Sequence, residues 1–350
     1  MRLVTIQPES GQDGGLLSQR VAVVLPSGGL LHLVALAQLA PDCLAEEIDS
    51  LDLATVIALD PEGASIRRAL AAAKPKALEE AAIDPHTVKL AAPIPRPGKV
   101  VGVGYNYLEH VREQGLDKPA RPVLFSKFAN TVVADGGPIR KPAGTHALDL
   151  EAELAVVIGR RAHAVAAGHA LACVAGFTVA NDVTARDWQG QAAALGPGEK
   201  SDGQWLRAKG SDTFLPLGPV LVTPDELDAV AGAGRDGRGL AIRSWLTKGS
   251  GPTAGQEVQM QDATTSEFIF GVAELISIIS VEVTLEPGDV ILTGTPSGVG
   301  VFRQPPVFME PGDLVRVEVQ AIGSLTNPVV DASGHAPAGS PAAEFMAAHN

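Results

Sequence analysis

Cysteine is nearly missing: Cys43 and Cys173 are the only two in 350 residues. A disulfide framework and a cysteine-rich zinc site are therefore excluded. Cys173 lies in an apolar run and reads as a small core residue. Long hydrophobic runs are missing too. No uninterrupted apolar segment approaches the ~20 residues of a membrane span. The first ten residues, Met1–Ser10, lack the apolar core of a signal peptide. These absences predict a soluble, cytoplasmic protein with no membrane partner. Positive charge is also scarce: 27 Lys and Arg stand against 40 Asp and Glu, a formal net charge of −13. That balance argues against nucleic-acid binding through general phosphate attraction. No fixed-period repeat is present.

What is there suits a substantial core. Hydrophobic residues make up 45% of the chain, and 38 Gly and 26 Pro punctuate short strand-like runs. The expectation is a mainly β protein with some helix, in one large or two medium domains. Residues 1–95 read as a small leading α+β domain. It has strands near Arg2–Gln7, Val21–Pro26 and His32–Leu36, turns at Gly11–Gly15 and Ser27–Gly29, and a helix over Ile66–Lys74. His32 and His86 read as structural or surface residues there. The proline-rich stretch Pro93–Gly98 reads as a joint. Residues 96–331 form the main domain, and 332–350 a flexible tail. Within the main domain, Asp225–Gly255 reads as an exposed loop or hairpin. A helix is expected over Ser266–Ser280, with Ser266 as N-cap. The turns Glu286–Asp289 and Pro311–Asp313 each lead into a strand.

Chemistry concentrates at Asp149-Leu150-Glu151-Ala152-Glu153, which runs into the apolar Leu154–Ile158. Side chains two apart on a strand share a face, their Cα atoms roughly 6.5–7 Å apart. Glu151 and Glu153 would stand side by side, each raising the other's pKa unless a cation sits between them. Asp182 follows a second apolar run, Leu171–Ala180, and offers a third oxygen. Three carboxylates without Cys or His suit a hard cation, Mg²⁺ before Mn²⁺ or Ca²⁺.

Further candidates flank this group. Val100–Gly104 reads as a strand, and Asn106 with Glu109 has capping-box spacing for a short helix that Gly115 would close. On that helix His110 and Glu113 are neighbours at i and i+3, a pair able to take a proton from water. The helix is polar, with few apolar positions to fix it to a core. His163 and His169 have no acidic neighbours and read as surface residues. Lys209 is a candidate proton donor or enolate stabiliser. Arg186 and Gln189 follow Asp182 at +4 and +7. Arg186 suits a bidentate carboxylate contact, with a structural ion pair as the competing reading. The Gly-rich Gly294–Gly300 lacks the Gly-Lys-Ser/Thr ending of a Walker A loop. It reads either as a plain tight turn or as a loop whose backbone N–H groups can approach an anionic ligand.

In order and spacing, six stretches resemble the fumarylacetoacetate hydrolase family over about residues 98–330. They are Tyr105–Glu113, Phe125–Lys127, Asp149–Leu154, Asn181–Gln189, Lys209–Asp212 and Thr293–Gly300. The resemblance implies a mixed β-sandwich roll, usually assembled as a homodimer. It places the metal ligands on Glu151, Glu153 and Asp182. It places the catalytic pair on His110 and Glu113, carried by a lid helix, and the active-site lysine on Lys209. Arg186, Gln189 and Thr295 fall on substrate-contacting positions. The expected reaction is Mg²⁺-dependent hydrolysis of a C–C bond in an acylpyruvate or related β-dicarbonyl acid, by water activated at His110. On the same site stand decarboxylation of an oxaloacetate-type 2-oxo acid, hydration or isomerisation of a 2-oxo-enoate, and metal or ligand binding without turnover.

Overall fold

The strand Ala152–Ile158 is buried at every position. Its alternate residues explain why. Leu154, Val156 and Ile158 pack in one cluster with Ile242, Val315 and Val317. Ala155 and Val157 pack in another with Leu33, Leu36, Ile57 and Ile66. A strand covered on both faces must be apolar throughout, which is why it reads as a continuous hydrophobic run.

The computed structural model describes residues 1–7, 20–44, 48, 52–200, 203–230 and 232–349. Ala152–Ile158 lies inside an eleven-stranded sheet. From one edge its order is Leu30–His32, Arg20–Val24, Arg2–Ile6, Leu215–Val222, Val174–Asn181, Ala152–Ile158, Val290–Leu292, Val100–Gly104 and Val123–Lys127. Two short strands, Leu90–Ala91 and Val132–Val133, join from the side. The first strand of the chain pairs with Leu215–Val222, Leu3 opposite Leu221, so one sheet runs through both the leading and the later segment. A second, five-stranded sheet holds Glu257–Thr264, Ala241–Thr247, Leu314–Val319, Gly323–Val330 and Ile139–Arg140. It covers one face of the large sheet together with helix Val272–Glu282, while the short N-terminal helices cover the other. This is the expected mainly β roll with an α+β leader. Among the described residues no helix is long and apolar enough to cross a membrane.

The two acidic turns are built alike. Asp289 accepts from the backbone N–H of Glu286 (2.7 Å) and of Lys99 (2.7 Å). Asp313 accepts from Glu310 (2.8 Å) and Gly249 (2.7 Å). In each, a lysine at or next to the second donor pairs with the same carboxylate: Lys99 with Asp289, and Lys248, beside Gly249, with Asp313.

Several local expectations change. His32–Leu36 is not a strand: pairing ends at His32, and Leu33–Leu39 is helical, with Leu33 and Leu36 buried on one face. Gly11–Gly15 falls outside the described residues. For Asp225–Gly255 the hairpin reading holds and the loop reading does not: Ala241–Thr247 pairs antiparallel with Glu257–Thr264, and its alternate residues Ile242, Ser244 and Leu246 are buried. Gly-rich flanks mask that two-residue period. The helix expected from Ser266 begins at Val272, and Thr264, not Ser266, caps the short turn before it. The supposed tail carries a helix, Pro341–His349, anchored by buried Ala342. His163 and His169 are exposed and Cys173 is buried, as expected.

Asn106 accounts for the late helix start. It is not the N-cap; Tyr107 occupies that position. The Asn106 amide instead donates to Phe270 O (3.1 Å) and Thr293 O (2.7 Å), and its oxygen accepts from Phe270 N (2.8 Å). These bonds tie down Phe270, two residues before the helix begins at Val272. Asn106→Ala would leave buried backbone groups unpaired, at about 1–3 kcal/mol each. We expect a total loss of about 2–4 kcal/mol, read as a lower urea midpoint at unchanged m-value.

Candidate active site

Strand register assembles the acidic group. Ala152 lies opposite Asn181 and Glu153 opposite Ala180, so Asp182 emerges beside Glu151. The Asp182 N–H donates to Glu151 O (2.9 Å), and Asn181 Oδ1 accepts from the Glu151 N–H (2.9 Å). One ligand atom from each of Glu151, Glu153 and Asp182 then lies within 4.8 Å of the others, and all three residues are buried. The donor set is entirely hard oxygen, which fits a divalent metal site of the kind the sequence implied.

Three cations converge on these acids. Lys209 Nζ donates to Glu151 Oε2 (2.9 Å), Asp182 Oδ2 (2.5 Å) and Thr184 Oγ1 (2.8 Å). Its ammonium has no further proton to offer, and it sits 4.7 Å over the Phe125 ring. Lys127 Nζ donates to Asp182 Oδ1 (2.6 Å). Burial pushes the Lys127 pKa down to about 8 against the pull of Asp182. Sequence reasoning gave Lys127 no role. The available signal was a lone lysine ending the apolar run Val123–Ser126. Arg186 Nε donates to Asp149 Oδ2 (2.8 Å), Nη1 to Gln189 Oε1 (3.0 Å), and Nη2 stands 2.7 Å from Glu151 Oε1. The guanidinium is thus committed to the protein's own carboxylates. The helix that carries it is only Arg186–Gln189, so Asp182 lies outside it.

The charges are unevenly shared. Burial raises the Glu151 pKa, but Lys209 and Arg186 more than reverse this and hold it well below the usual carboxylate range. Glu153 forms no ion pair with these cations. Burial first, then Asp182 and Glu151, push its pKa well above normal. Among the described residues its one hydrogen-bond donor is the Gly294 N–H (2.6 Å).

That contact belongs to a pattern. Within Gly294–Gly300, the Gly298 N–H donates to Glu113 Oε2 (3.1 Å) and the Gly300 N–H to Asp149 Oδ1 (2.8 Å). The loop does bring N–H groups to anions, but the anions are the protein's own. Gly298 has φ of +100°, and a Cβ there would meet Met260 O at 2.4 Å. Thr295, between these contacts, accepts from Gln261 Nε2 (2.7 Å).

The helix Leu108–Glu113 borders one side of the site through His110. Tyr107 and Val111 are buried and fix it, so it has two apolar anchors where the sequence promised few. It ends as a Schellman motif: the Leu116 N–H donates to Val111 O, the Gly115 N–H to Arg112 O, and Gly115 has φ of +69°. His110 Nδ1 lies 2.6 Å from Glu113 Oε1. One pocket is lined by His110, Glu151, Glu153, Arg186, Gln189, Lys209 and Thr295, together with the unforeseen Tyr105 and Gln114. Tyr105 is held at φ 58°, a left-handed conformation rare for an aromatic residue.

Known proteins share this arrangement of sequence and fold. The family description "Fumarylacetoacetate (FAA) hydrolase C-terminal" matches residues 99–330. A Bos taurus protein named oxaloacetate tautomerase FAHD2A, mitochondrial, is 41% identical over 332 residues, 94% of this chain and 92% of the relative. The Homo sapiens protein of that name is 39% identical over 303 residues, 87% of this chain and 84% of its own. A fumarylacetoacetate hydrolase from Exiguobacterium antarcticum superposes with a TM-score of 0.69 at 28% identity, over 95% of this chain and 99% of that one. A 2-hydroxyhepta-2,4-diene-1,7-dioate isomerase from Mycobacterium marinum does so with a TM-score of 0.62 at 32% identity, over 95% and 98%. With residues 99–330 matched and these relatives covering nearly its whole length, the chain belongs to the fumarylacetoacetate hydrolase family of enzymes.

Proposed function

We propose that this enzyme interconverts the enol and keto forms of an oxaloacetate-type 2-oxo acid, moving a proton at carbon through His110. The observation that carries this reading is the 41% identity, over 94% of the chain, to a protein named as an oxaloacetate tautomerase. It favours isomerisation, kept above as an alternative, over C–C hydrolysis. A divalent cation at Glu151, Glu153 and Asp182, Mg²⁺ before Mn²⁺ or Ca²⁺, would supply the positive charge that polarises the 2-oxo acid.

The chain's own residues have separate tasks. Glu113 orients the imidazole and favours a proton on Nδ1, which leaves Nε2 as the acceptor. Nε2 takes the proton from C3 as the C–H bond breaks, and the electron pair moves toward the 2-oxo oxygen. The 2-oxo oxygen then takes a proton from solvent water to give the enol, and the imidazolium loses its proton to solvent. In the reverse direction the enol O–H proton leaves to solvent and the protonated Nε2 delivers a proton to C3. Lys209, with all three donors engaged, acts as a fixed positive charge beside the enolate. Gln189 and Thr295 hold the substrate from the pocket wall, and Arg186 keeps Glu151 and Asp149 in place beside it. Hydrolysis of an acylpyruvate is the second reading, favoured by the same His110–Glu113 pair acting on water.

One assay separates them. With Mg²⁺ present, wild type should speed the decay of enol-oxaloacetate absorbance, release no CO₂ and leave acylpyruvates intact. His110→Asn should lower the tautomerisation rate by about 10²–10⁴-fold, the usual contribution of a general base. Acylpyruvate cleavage by wild type, with no effect on the enol, would overturn the isomerase reading in favour of hydrolysis.

A further inference from the structure

Both nitrogens of the His110 ring are bonded from its own helix. Positions i, i+3 and i+4 share a helix face, and here they hold His110, Glu113 and Gln114. Glu113 Oε1 meets Nδ1 at 2.6 Å. Gln114 Nε2 lies 3.0 Å from His110 Nε2 and 3.2 Å from the His110 carbonyl oxygen. The carbonyl is an acceptor only, so the amide must present its NH₂ group to it. Flipping the amide would set two oxygens against each other. The second N–H of that NH₂ group then points at the ring, and the ring nitrogen it meets must carry a lone pair. The Nε2–H tautomer would bring two N–H groups together.

We infer that Gln114 is a positioning residue for His110: its amide holds the imidazole in the Nδ1–H tautomer and caps the Nε2 lone pair until substrate displaces it. Gln114 lines the same pocket as Glu151, Lys209 and Thr295, so the cap stands where substrate must enter. Once Nε2 has taken a proton, the amide N–H can no longer face it and must rotate away. The cap therefore opposes protonation from water while leaving the base in its active form. Among the described residues the titratable and charged groups around the ring are Glu113 on its own helix and, lining the shared pocket, Tyr105, Glu151, Glu153, Arg186 and Lys209. The Phe302 ring packs edge-on at 6.0 Å. Among the described residues His110 makes no hydrogen bond to the three acidic ligand candidates.

The inference rests on His110 as the base, yet it has a readout independent of turnover. The chain has eight histidines. Nitrogen-15 histidine spectra of the Mg²⁺-loaded protein, with His110→Asn to assign the signal, report the tautomer directly. Wild type should show a protonated Nδ1 and a bare Nε2. Gln114→Ala removes the donor that caps Nε2, so the neutral ring should then populate the Nε2–H tautomer as well. Gln114→Glu places an acceptor against Nε2 and should favour Nε2–H further. The kcat/KM values of the two variants should fall in step with the loss of the Nδ1–H tautomer. An Nε2–H tautomer in wild type, or one tautomer ratio shared by all three proteins, would overturn the inference. A changed tautomer ratio with no turnover of any 2-oxo acid would leave the cap standing and remove the proposed function instead. Gln114 is only half-buried at a helix end, and the two substitutions differ in size and charge, so a folding defect in one leaves the other to decide.

Discussion

Glu153→Gln should abolish divalent-cation binding while leaving the metal-free protein at least as stable as wild type. Each clause follows from where the charges lie. Glu151 and Asp182 are ion-paired with protein cations, but among the described residues Glu153 accepts only from the Gly294 N–H. It is the carboxylate with most to gain from a bound cation and most to lose without one. Glutamine keeps the shape and can still accept from Gly294. Even outer-shell substitutions cost about 10–100-fold in metal affinity, so loss of a direct anionic ligand should cost at least about 100-fold. A ligand at a hundred times its Kd stabilises a protein by about 2.7 kcal/mol. In the variant that Mg²⁺-dependent gain should fall below about 0.5 kcal/mol at the same concentration. Thermal melts with and without Mg²⁺ read both effects, and unchanged Mg²⁺ stabilisation in the variant would remove Glu153 from the metal site.

The same residue predicts the pH dependence of the metal-free protein. Its pKa is raised on folding, by burial and then by Asp182 and Glu151. The folded state therefore holds this proton more tightly than the unfolded chain does. The associated stability is fully present below the unfolded value of about 4.5 and is lost as pH rises toward the folded one. Glu153→Gln should flatten that decline, and saturating Mg²⁺ should do so in wild type.

Lys209→Met should give the opposite pattern. The substitution removes a buried cation bound to two carboxylates, and deleting one partner of a buried ion pair costs about 3–5 kcal/mol. Lys127 still faces Asp182 and Arg186 still faces Glu151, so the lower end of that range is expected. Mg²⁺ should recover much of the loss, because it restores positive charge between the same oxygens. Activity should not recover with it. The fixed charge beside the enolate is gone, at a cost of about 10²-fold or more in rate. Stability rescued by Mg²⁺ with tautomerisation still slow would separate the structural and chemical roles of this ammonium. A variant as stable and as active as wild type would show the ion pairs to be incidental.

Contrasting fates of the site residues show what was legible in advance. Glu151, Glu153 and Asp182 could be found because local pattern marks them: acids abutting apolar strands are conspicuous, and two-residue spacing fixes a shared face. His110 and Glu113 were equally visible at helical spacing. Gln114 obeys the same spacing, but an amide carries no charge to draw attention to it. Arg186 shows the limit from the other side. Its suitability for a carboxylate was readable, but which carboxylate it holds was not. Asp149 is 37 positions away in sequence and 2.8 Å away in space.

The sequence by itself determined the family, the mainly β character, the acidic group and the short His110 helix with its closing glycine. These follow from short-range periodicity and from motifs whose members are neighbours along the chain. Tertiary structure alone decided the rest. It put Lys127 and Lys209 onto Asp182, and sent the glycine N–H groups of residues 294–300 to Glu153, Glu113 and Asp149. It also turned Asn106 from a helix cap into a clamp on Phe270. Buried charges and amides take whatever partner the fold brings within about 3 Å, and that distance depends on strand register and layer packing rather than on sequence separation.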